Sequence, residues 1–448
     1  MAPMAVTPPT EVEKTSDLTL NGIQAALKKA APSQNPPTTL TPSLTQPTGT
    51  TKPSSSPPLP ELDASLLQCT YADPSQLKPV LALDDPERQT QRVSTDHMIQ
   101  AAWSTTKGWS APTLTPYGPL SLMPSASCLH YATECFEGMK LYRGFDGKLR
   151  LFRPTLNCNR MLMSSTRIAL PGFPPAELLK LILKLCATDG NRWLPPHQPG
   201  QFLYIRPTMI ATDAAIGVQR PSEALLFIIL TVLPPMDSVP GGVKLLASED
   251  DMCRAWPGGF GYAKVGANYG PSLVAQGEAR ARGFDQILWL FGPEGVVTEA
   301  GASNFFVVWK EKETGKLQLV TNSLDRQIIL DGITRRSVLD LARERLASTS
   351  SSSFNLEPLE IQERPFTMSE IALAAEENRL VEAFASGTAW FVAPVSKIQW
   401  KGKDIEVPMG EDGVMGGYTK AFKGWLRGIM YGEESERGNE WGVVVGDE

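Results

Sequence analysis

The chain predicts an α+β protein, on three observations. Strand-like and helical runs are interspersed without the regular βαβ alternation of a doubly wound sheet. A Pro/Gly-rich interruption, LPPMDSVPGG at 233–242, breaks them into two blocks. Residues 1–62 are instead dominated by Pro, Ser and Thr and contain no aromatic residue. The expected organisation is a disordered extension over 1–62, a smaller α+β domain over 63–232, a linker over 233–242 and a larger domain over 243–448. No internal repeat is visible.

Taken in order, the extension has too little apolar surface to offset its ordering entropy, apart from a weak helical stretch around Leu20–Ala31. Its first sixty residues hold no arginine and three acidic residues, which fits a mitochondrial transit peptide poorly. The expectation is neither signal nor anchor, and a cytoplasmic protein. In the first block KLRLFRP, GQFLYIRPTMI and ALLFIILTV read as strands, and AELLKLILKLCA reads as a helix. The second block opens with a hairpin signal, QILWLF, a GPEG turn, then VVTEAGASNFFVVW. DGITRRSVLDLARERL reads as a loop opening a helix, and STSSSS at 348–353 as a surface loop. TMSEIALAAEENRL starts a helix with a capping-box pattern, Thr367 with Glu370.

The totals exclude several function classes. At 448 residues the chain can build two sizeable cores. A net charge of -6 and a pI near 5.4 argue against a nucleic-acid binder. No apolar run approaches the roughly 18–20 residues that span a bilayer. Cys69, Cys128, Cys135, Cys158, Cys186 and Cys253 lie far apart with no CxxC pair, which suggests reduced thiols rather than a disulfide framework or zinc site. His97, His130 and His197 do not cluster, so a metal centre and a Ser-His-Asp triad are disfavoured and each reads as structural.

Chemistry points to one lysine. Lys264 is the only charged residue between Arg254 and Glu278, in AWPGGFGYAKVGANYGPSLVAQG. A poorly hydrated amine favours its neutral form, which attacks carbonyl carbons. The glycine-rich stretch around it lacks both G-x-G-x-x-G spacing and a GK[ST] ending, so nucleotide readings are weak. A lysine nucleophile suits a Schiff base with pyridoxal phosphate. That cofactor also needs a carboxylate at its ring nitrogen, a donor at its phenolate oxygen, and amides plus a cation for its phosphate.

Between residues 94 and 430 the motifs STDHMIQAAW, LHYATECFEGMKLYRG, LFRPTLNCNRM, FLYIRPT, GYAKVGANYG, TEAGASNFF, GITRR and SGTA occur in order. Together they resemble the branched-chain amino acid aminotransferases, fold-type IV pyridoxal-phosphate enzymes. The resemblance implies a smaller N-terminal α/β sandwich and a larger C-terminal pseudo-barrel. It implies that Lys264 forms the Schiff base and shuttles a proton, that Glu299 faces the ring nitrogen, and that Tyr269 donates to the phenolate oxygen. Arg160, Ile333, Thr334 and Thr388 match phosphate-binding positions. Tyr131, Phe136, Tyr204 and Arg206 match the substrate pocket, with the amides of Thr388 and Ala389 for the alpha-carboxylate. Ile216 and Val218 match a loop that enters the partner's pocket, which implies an obligate homodimer.

The resemblance implies transamination between a branched-chain or related aliphatic L-amino acid and 2-oxoglutarate, giving the 2-oxo acid and L-glutamate. Within the fold, a D-amino acid transaminase, an aminodeoxychorismate lyase or an enzyme for an unusual amino acid stays open; a binding protein without catalysis is disfavoured because Lys264, Glu299, Tyr269 and Arg160 are all present. The chain departs from the pattern at Thr90, Gln91 and Ser94, and Met236 stands where animal relatives often place tyrosine. These positions are expected to wall the side-chain pocket, which predicts tolerance of longer or more polar side chains. WFVA after SGTA replaces a redox CxxC, which predicts no thiol regulation there.

Overall fold

The structure, a computed structural model, describes residues 58–234, 240–347, 356–434, 438 and 440–446. The weak helix at 20–31, Met236 and the serine loop at 348–353 lie outside the described residues. From Pro58 onward the chain forms one compact unit. Ordered chain begins earlier than composition predicts: Leu62 is 1% exposed and joins the core, and the Pro60 carbonyl accepts from Trp109 N at 2.9 Å.

Two sheets carry the fold. The first is built from β1 (Gln68–Cys69), β2 (Ser94–Ser104), β3 (Gly108–Trp109), β4 (Thr113–Pro116), β5 (Glu134–Phe136), β6 (Met139–Arg143), β7 (Leu149–Phe152), β8 (Phe202–Ala211) and β9 (Glu223–Thr231). Its order is β1-β4-β2-β9-β8-β6-β7, with β3 on β2 and β5 on β8. KLRLFRP, GQFLYIRPTMI and ALLFIILTV are β7, β8 and β9, as expected. Helix Pro175–Trp193 packs Leu178, Leu181, Ile182 and Leu185 into the core of this sheet. Along β8 exposure alternates over Phe202–Arg206, so Leu203 and Ile205 enter that core while Tyr204 and Arg206 face the other way.

The second sheet holds β10 (Val243–Ala247), β11 (Gln286–Phe291), β12 (Val296–Ala300), β13 (Ser303–Lys310), β14 (Leu317–Thr321), β15 (Glu360–Glu363), β16 (Leu380–Gly387), β17 (Phe391–Trp400) and β18 (Lys403–Glu406). Its order is β12-β11-β10-β17-β16-β13-β14-β15, and β12 also pairs β13, so six strands close into a ring. Val243, Leu245, Leu288, Val297, Phe305, Val307, Ala385 and Val395 fill it. Phe306, Val308 and Phe384, on the opposite face, are covered by helices Ile333–Arg345 and Gly417–Met430. The α+β expectation holds, and the second sheet is mixed: β10–β11, β10–β17 and β14–β15 are parallel.

One element crosses back. β19 (Gly442–Val444) leaves the second block and pairs with β7 in the first sheet. Between the sheets, Gly241 and Gly242 have φ of 79° and 77°, left-handed values that favour glycine and suit the turn into β10.

Candidate active site

Lys264 lies in the loop between β10 and helix Ser272–Ala281, and that loop is clamped from outside. Lys264 N donates to Ser164 Oγ at 2.8 Å, its carbonyl accepts from Phe136 N at 3.1 Å, and Val265 bridges to Cys135. Asn268 Nδ2 donates to the carbonyls of Phe260 and Ala263 at 3.0 and 2.9 Å, fixing the loop against itself. The half-buried Nζ donates to the Tyr269 hydroxyl at 3.1 Å and stands 4.9 Å from the Phe136 ring centre. Its isolation along the chain does not persist in space. Buried Glu137 and Glu299, from distant segments, are both close enough to feel its charge.

Glu299 reaches the same cavity because β12 carries an extra residue. Leu288 pairs with Ala300 but Leu290 with Val297, so two steps on β11 face three on β12. Val297 and Ala300 can then both point into the ring, while Glu299 turns to the outer face. There it aligns with Asn304 and Ser386 across three strands, and all three line one cavity of about 380 Å³ with Lys264. Glu299 is 1% exposed. It accepts from Arg254 Nη1 and from Leu330 N at 3.2 Å. Burial pushes its carboxyl above the usual range, and Arg254 opposes that. Asn304 is held by the Leu330 carbonyl at 2.8 Å, whereas the buried Ser386 hydroxyl has no partner among the described residues.

The other end of the cavity is built for an anion. Helix Ile333–Arg345 starts at Gly332 with no side-chain cap, leaving the amides of Ile333 and Thr334 for a ligand. A side chain at 332 is excluded, since a Cβ there would stand 2.0 Å from Asn304 Oδ1. Arg160, on helix Pro154–Arg167, donates to the Asp331 carbonyl at 2.8 Å. Its Nε and Nη2 are held by Glu137 at 2.7 and 2.8 Å. Glu137 is 0% exposed; burial alone would raise its carboxyl, but Arg160, Lys264 and Asn157 outweigh it and hold it below the usual range. Arg160, paired with Glu137, stands beside these uncapped amides, and the combination of amides and a guanidinium suits a phosphate.

The family model described as amino-transferase class IV matches residues 134–398. The cytosolic branched-chain-amino-acid aminotransferase of Saccharomyces cerevisiae is 46% identical over 355 residues, covering 79% of this chain and 90% of its own. The mitochondrial one of Schizosaccharomyces pombe is 43% identical over 386 residues, 85% of each chain. The chain belongs to the branched-chain-amino-acid aminotransferases. A solved branched-chain aminotransferase from Thermoproteus uzoniensis shares the fold, with a TM-score of 0.58 at 24% identity over 77% of this chain and 99% of that one. This aminotransferase is a fold-type IV, pyridoxal-phosphate-dependent enzyme, and membership sets aside the D-amino acid transaminase and aminodeoxychorismate lyase alternatives.

Its own geometry suits that cofactor: an amine, a tyrosine hydroxyl, a buried carboxylate with raised affinity for a proton, and uncapped amides beside a cation share one cavity. The lining contains eleven of the residues expected from sequence: Phe136, Arg160, Tyr204, Arg206, Lys264, Tyr269, Glu299, Ile333, Thr334, Thr388 and Ala389. Three lie elsewhere. The Tyr131 hydroxyl does not meet Arg206 in this cavity but donates to the Ile216 carbonyl, and Ile216 and Val218 are 64% and 88% exposed. Thr90, Gln91 and Ser94 also do not wall the cavity. Ser94 shares a cross-strand row with Tyr204 through Thr231 but stands two strands out, roughly 9–10 Å away at ordinary strand spacing.

Glu137, Arg254, Asn304, Ser386 and Gly332 were missed from sequence. Glu137, Asn304, Gly332 and Ser386 had a usable signal, since each stands inside a motif, FEG, TEAGASNFF, GITRR or SGTA. Arg254 had none; only the fold brings it to Glu299.

Proposed function

We propose that the enzyme moves the amino group of a branched-chain or related aliphatic L-amino acid to 2-oxoglutarate, giving the 2-oxo acid and L-glutamate. The observation that carries this reading is Lys264 Nζ, 3.1 Å from the Tyr269 hydroxyl, in one cavity with the buried Glu299. When bound, pyridoxal phosphate carries the amino group between the two substrates and delocalises the electron pair freed at the alpha carbon. Lys264 holds the cofactor covalently and then moves the proton at the alpha carbon; Tyr269 orients Nζ for it. Glu299 holds a proton at the ring nitrogen, with Arg254 and Leu330 N–H fixing its carboxylate. The Ile333 and Thr334 amides, Thr388 and the free N–H groups of Arg160 take the phosphate.

The substrate sits against Phe136, Tyr204 and Arg206, with the Thr388 and Ala389 amides on its alpha-carboxylate. Phe136 and Tyr204 suit an aliphatic side chain; Arg206, stacked 4.6 Å from the Phe136 ring centre with its Nε buried and unpartnered, suits the second carboxylate of glutamate. Tyr131, Ile216 and Val218 form an exposed lobe that completes the pocket of a second copy in a homodimer. Sedimentation of Ile216→Asp/Val218→Asp then shows a weakened dimer, and an unchanged dimer removes that part of the reading.

The reaction is tested with purified enzyme, leucine and 2-oxoglutarate, following glutamate, together with borohydride reduction and peptide mapping. Glutamate formation and a pyridoxyl label on Lys264 are expected. No glutamate, or a label on another lysine, overturns the proposal.

A further inference from the structure

The turn between β16 and β17 is tied across the cavity to the first sheet at two points. Thr388 Oγ1 donates to the Gly138 carbonyl at 3.3 Å, and Lys140 Nζ donates to the Ala389 carbonyl at 2.8 Å. These links join residues 250 and 249 positions apart. Lys140 stands opposite Tyr204 in the β6–β8 pairing, so it belongs to the sheet face that walls the cavity. Its Nζ lies 4.0 Å from the Phe202 ring centre and the residue is 4% exposed. Burying an ammonium is unfavourable unless hydrogen bonds or charges repay it, so its place in the fold points to a polar role. What Lys140 holds is a peptide carbonyl in a turn whose residues line the cavity.

We propose that Lys140 is a positioning residue for the substrate's alpha-carboxylate. By holding the Ala389 carbonyl it fixes the Thr388–Ala389 turn, so that the turn's amides stay aimed into the cavity, and it places a positive charge behind them. A short turn with its carbonyl released can rotate its peptide planes, and amides that must be re-ordered on binding lose affinity for an anion. The inference rests on the reading that these amides take the carboxylate. Because both substrates carry an alpha-carboxylate, Lys140 acts on both alike, unlike Arg206.

The test uses the holoenzyme with Lys140→Met, which keeps length and packing, and Lys140→Arg, which keeps the donor. Dissociation constants are measured for 4-methylpentanoate and for 3-methylbutylamine, an aliphatic amine without the carboxylate, beside KM and kcat for leucine and glutamate. Lys140→Met should weaken 4-methylpentanoate and raise both KM values by about 10- to 150-fold, the range for losing a hydrogen bond from a charged group. Amine affinity, cofactor absorbance and kcat should stay within about threefold, and Lys140→Arg should recover most of the loss. Lys140→Gln, a shorter neutral donor, should fall between them and serves if the methionine variant does not fold. Unchanged carboxylate affinity, or equal losses for carboxylate and amine, overturns the proposal. An unaltered enzyme whose affinity for 4-methylpentanoate does not exceed that for the neutral 4-methylpentanamide removes the carboxylate reading of the turn, and the proposal with it.

Discussion

Two carboxylates of the site sit in opposite surroundings, and their environments assign them different work. Glu137 is neutralised by the Arg160 fork and stays ionised, so it holds a side chain in place. Glu299 is pushed up by burial although it accepts from Arg254 and from Leu330 N–H, which suits a group that keeps a proton at a ring nitrogen. Glu299→Gln should retain the cofactor, by its visible absorbance, while turnover falls at least about 10²-fold, the scale of a positioned proton-holding group. The variant leaves Arg254 without its buried counter-charge, so melting is measured alongside; a folded, loaded variant with most of its activity defeats the assignment. Arg206→Leu separates the substrates. Losing a charged hydrogen bond costs about 1.5–3 kcal/mol, so the glutamate half-reaction should slow roughly 10- to 150-fold in single turnovers while leucine is nearly spared. Equal losses would make Arg206 structural.

At the scale of elements, local chemistry explains starts and stops. Thr367 and Glu370 make the reciprocal capping box that their spacing predicts, with Glu370 N to Thr367 Oγ1 at 3.2 Å and Thr367 N to Glu370 Oε2 at 2.7 Å. Helix Met368–Glu376 therefore begins where the sequence says it begins, but it is shorter than the run TMSEIALAAEENRL, because Asn378 adopts a left-handed φ of 54° and the chain turns into β16. Thr367→Ala should cost about 1 kcal/mol in chemical denaturation without changing kcat, since the helix stands away from the cavity lining. A larger loss, or lost activity, would mean that the cap supports more than its helix. Helix Ile333–Arg345 is the contrasting case: it lacks a side-chain cap, and its free amides face the site.

Over the whole molecule, the C-terminal segment ties the last residues of the second block to the first sheet. The Trp441 ring packs on Phe152 with centres 5.9 Å apart and lies 4.1 Å from the Arg153 guanidinium. Its carbonyl accepts from Arg153 N at 2.7 Å, just ahead of the helix that carries Arg160. Trp441→Ala should therefore destabilise by about 3–5 kcal/mol and also weaken the cofactor, measured as a raised dissociation constant. Destabilisation with unchanged cofactor affinity would show that the helix holds Arg160 without this strap.

Part of the element order and the reactive lysine were legible in the residues alone, whereas helices Pro154–Arg167 and Gly417–Met430 were not read from the sequence. Alternation in β8, the GPEG turn, the capping box and the isolated Lys264 depend on neighbours a few positions apart, and those interactions are present in any conformation the segment takes. The motifs added the roles of Tyr269, Arg160 and the 333 helix. Only the tertiary structure decided the rest. That Glu299 faces the cavity depends on an extra residue in β12, visible only once β11 is its partner. That Arg160 is shared between Glu137 and an anion site, that Arg254 balances Glu299, and that Lys140 grips a turn 249 positions away all follow from chain crossings that no local pattern encodes. So does the placement of Ser94 two strands from Tyr204 and of Tyr131 beside Ile216. Local signals choose secondary structure; burial of charge against charge is settled by packing, because a desolvated ion must find its partner wherever the fold brings one.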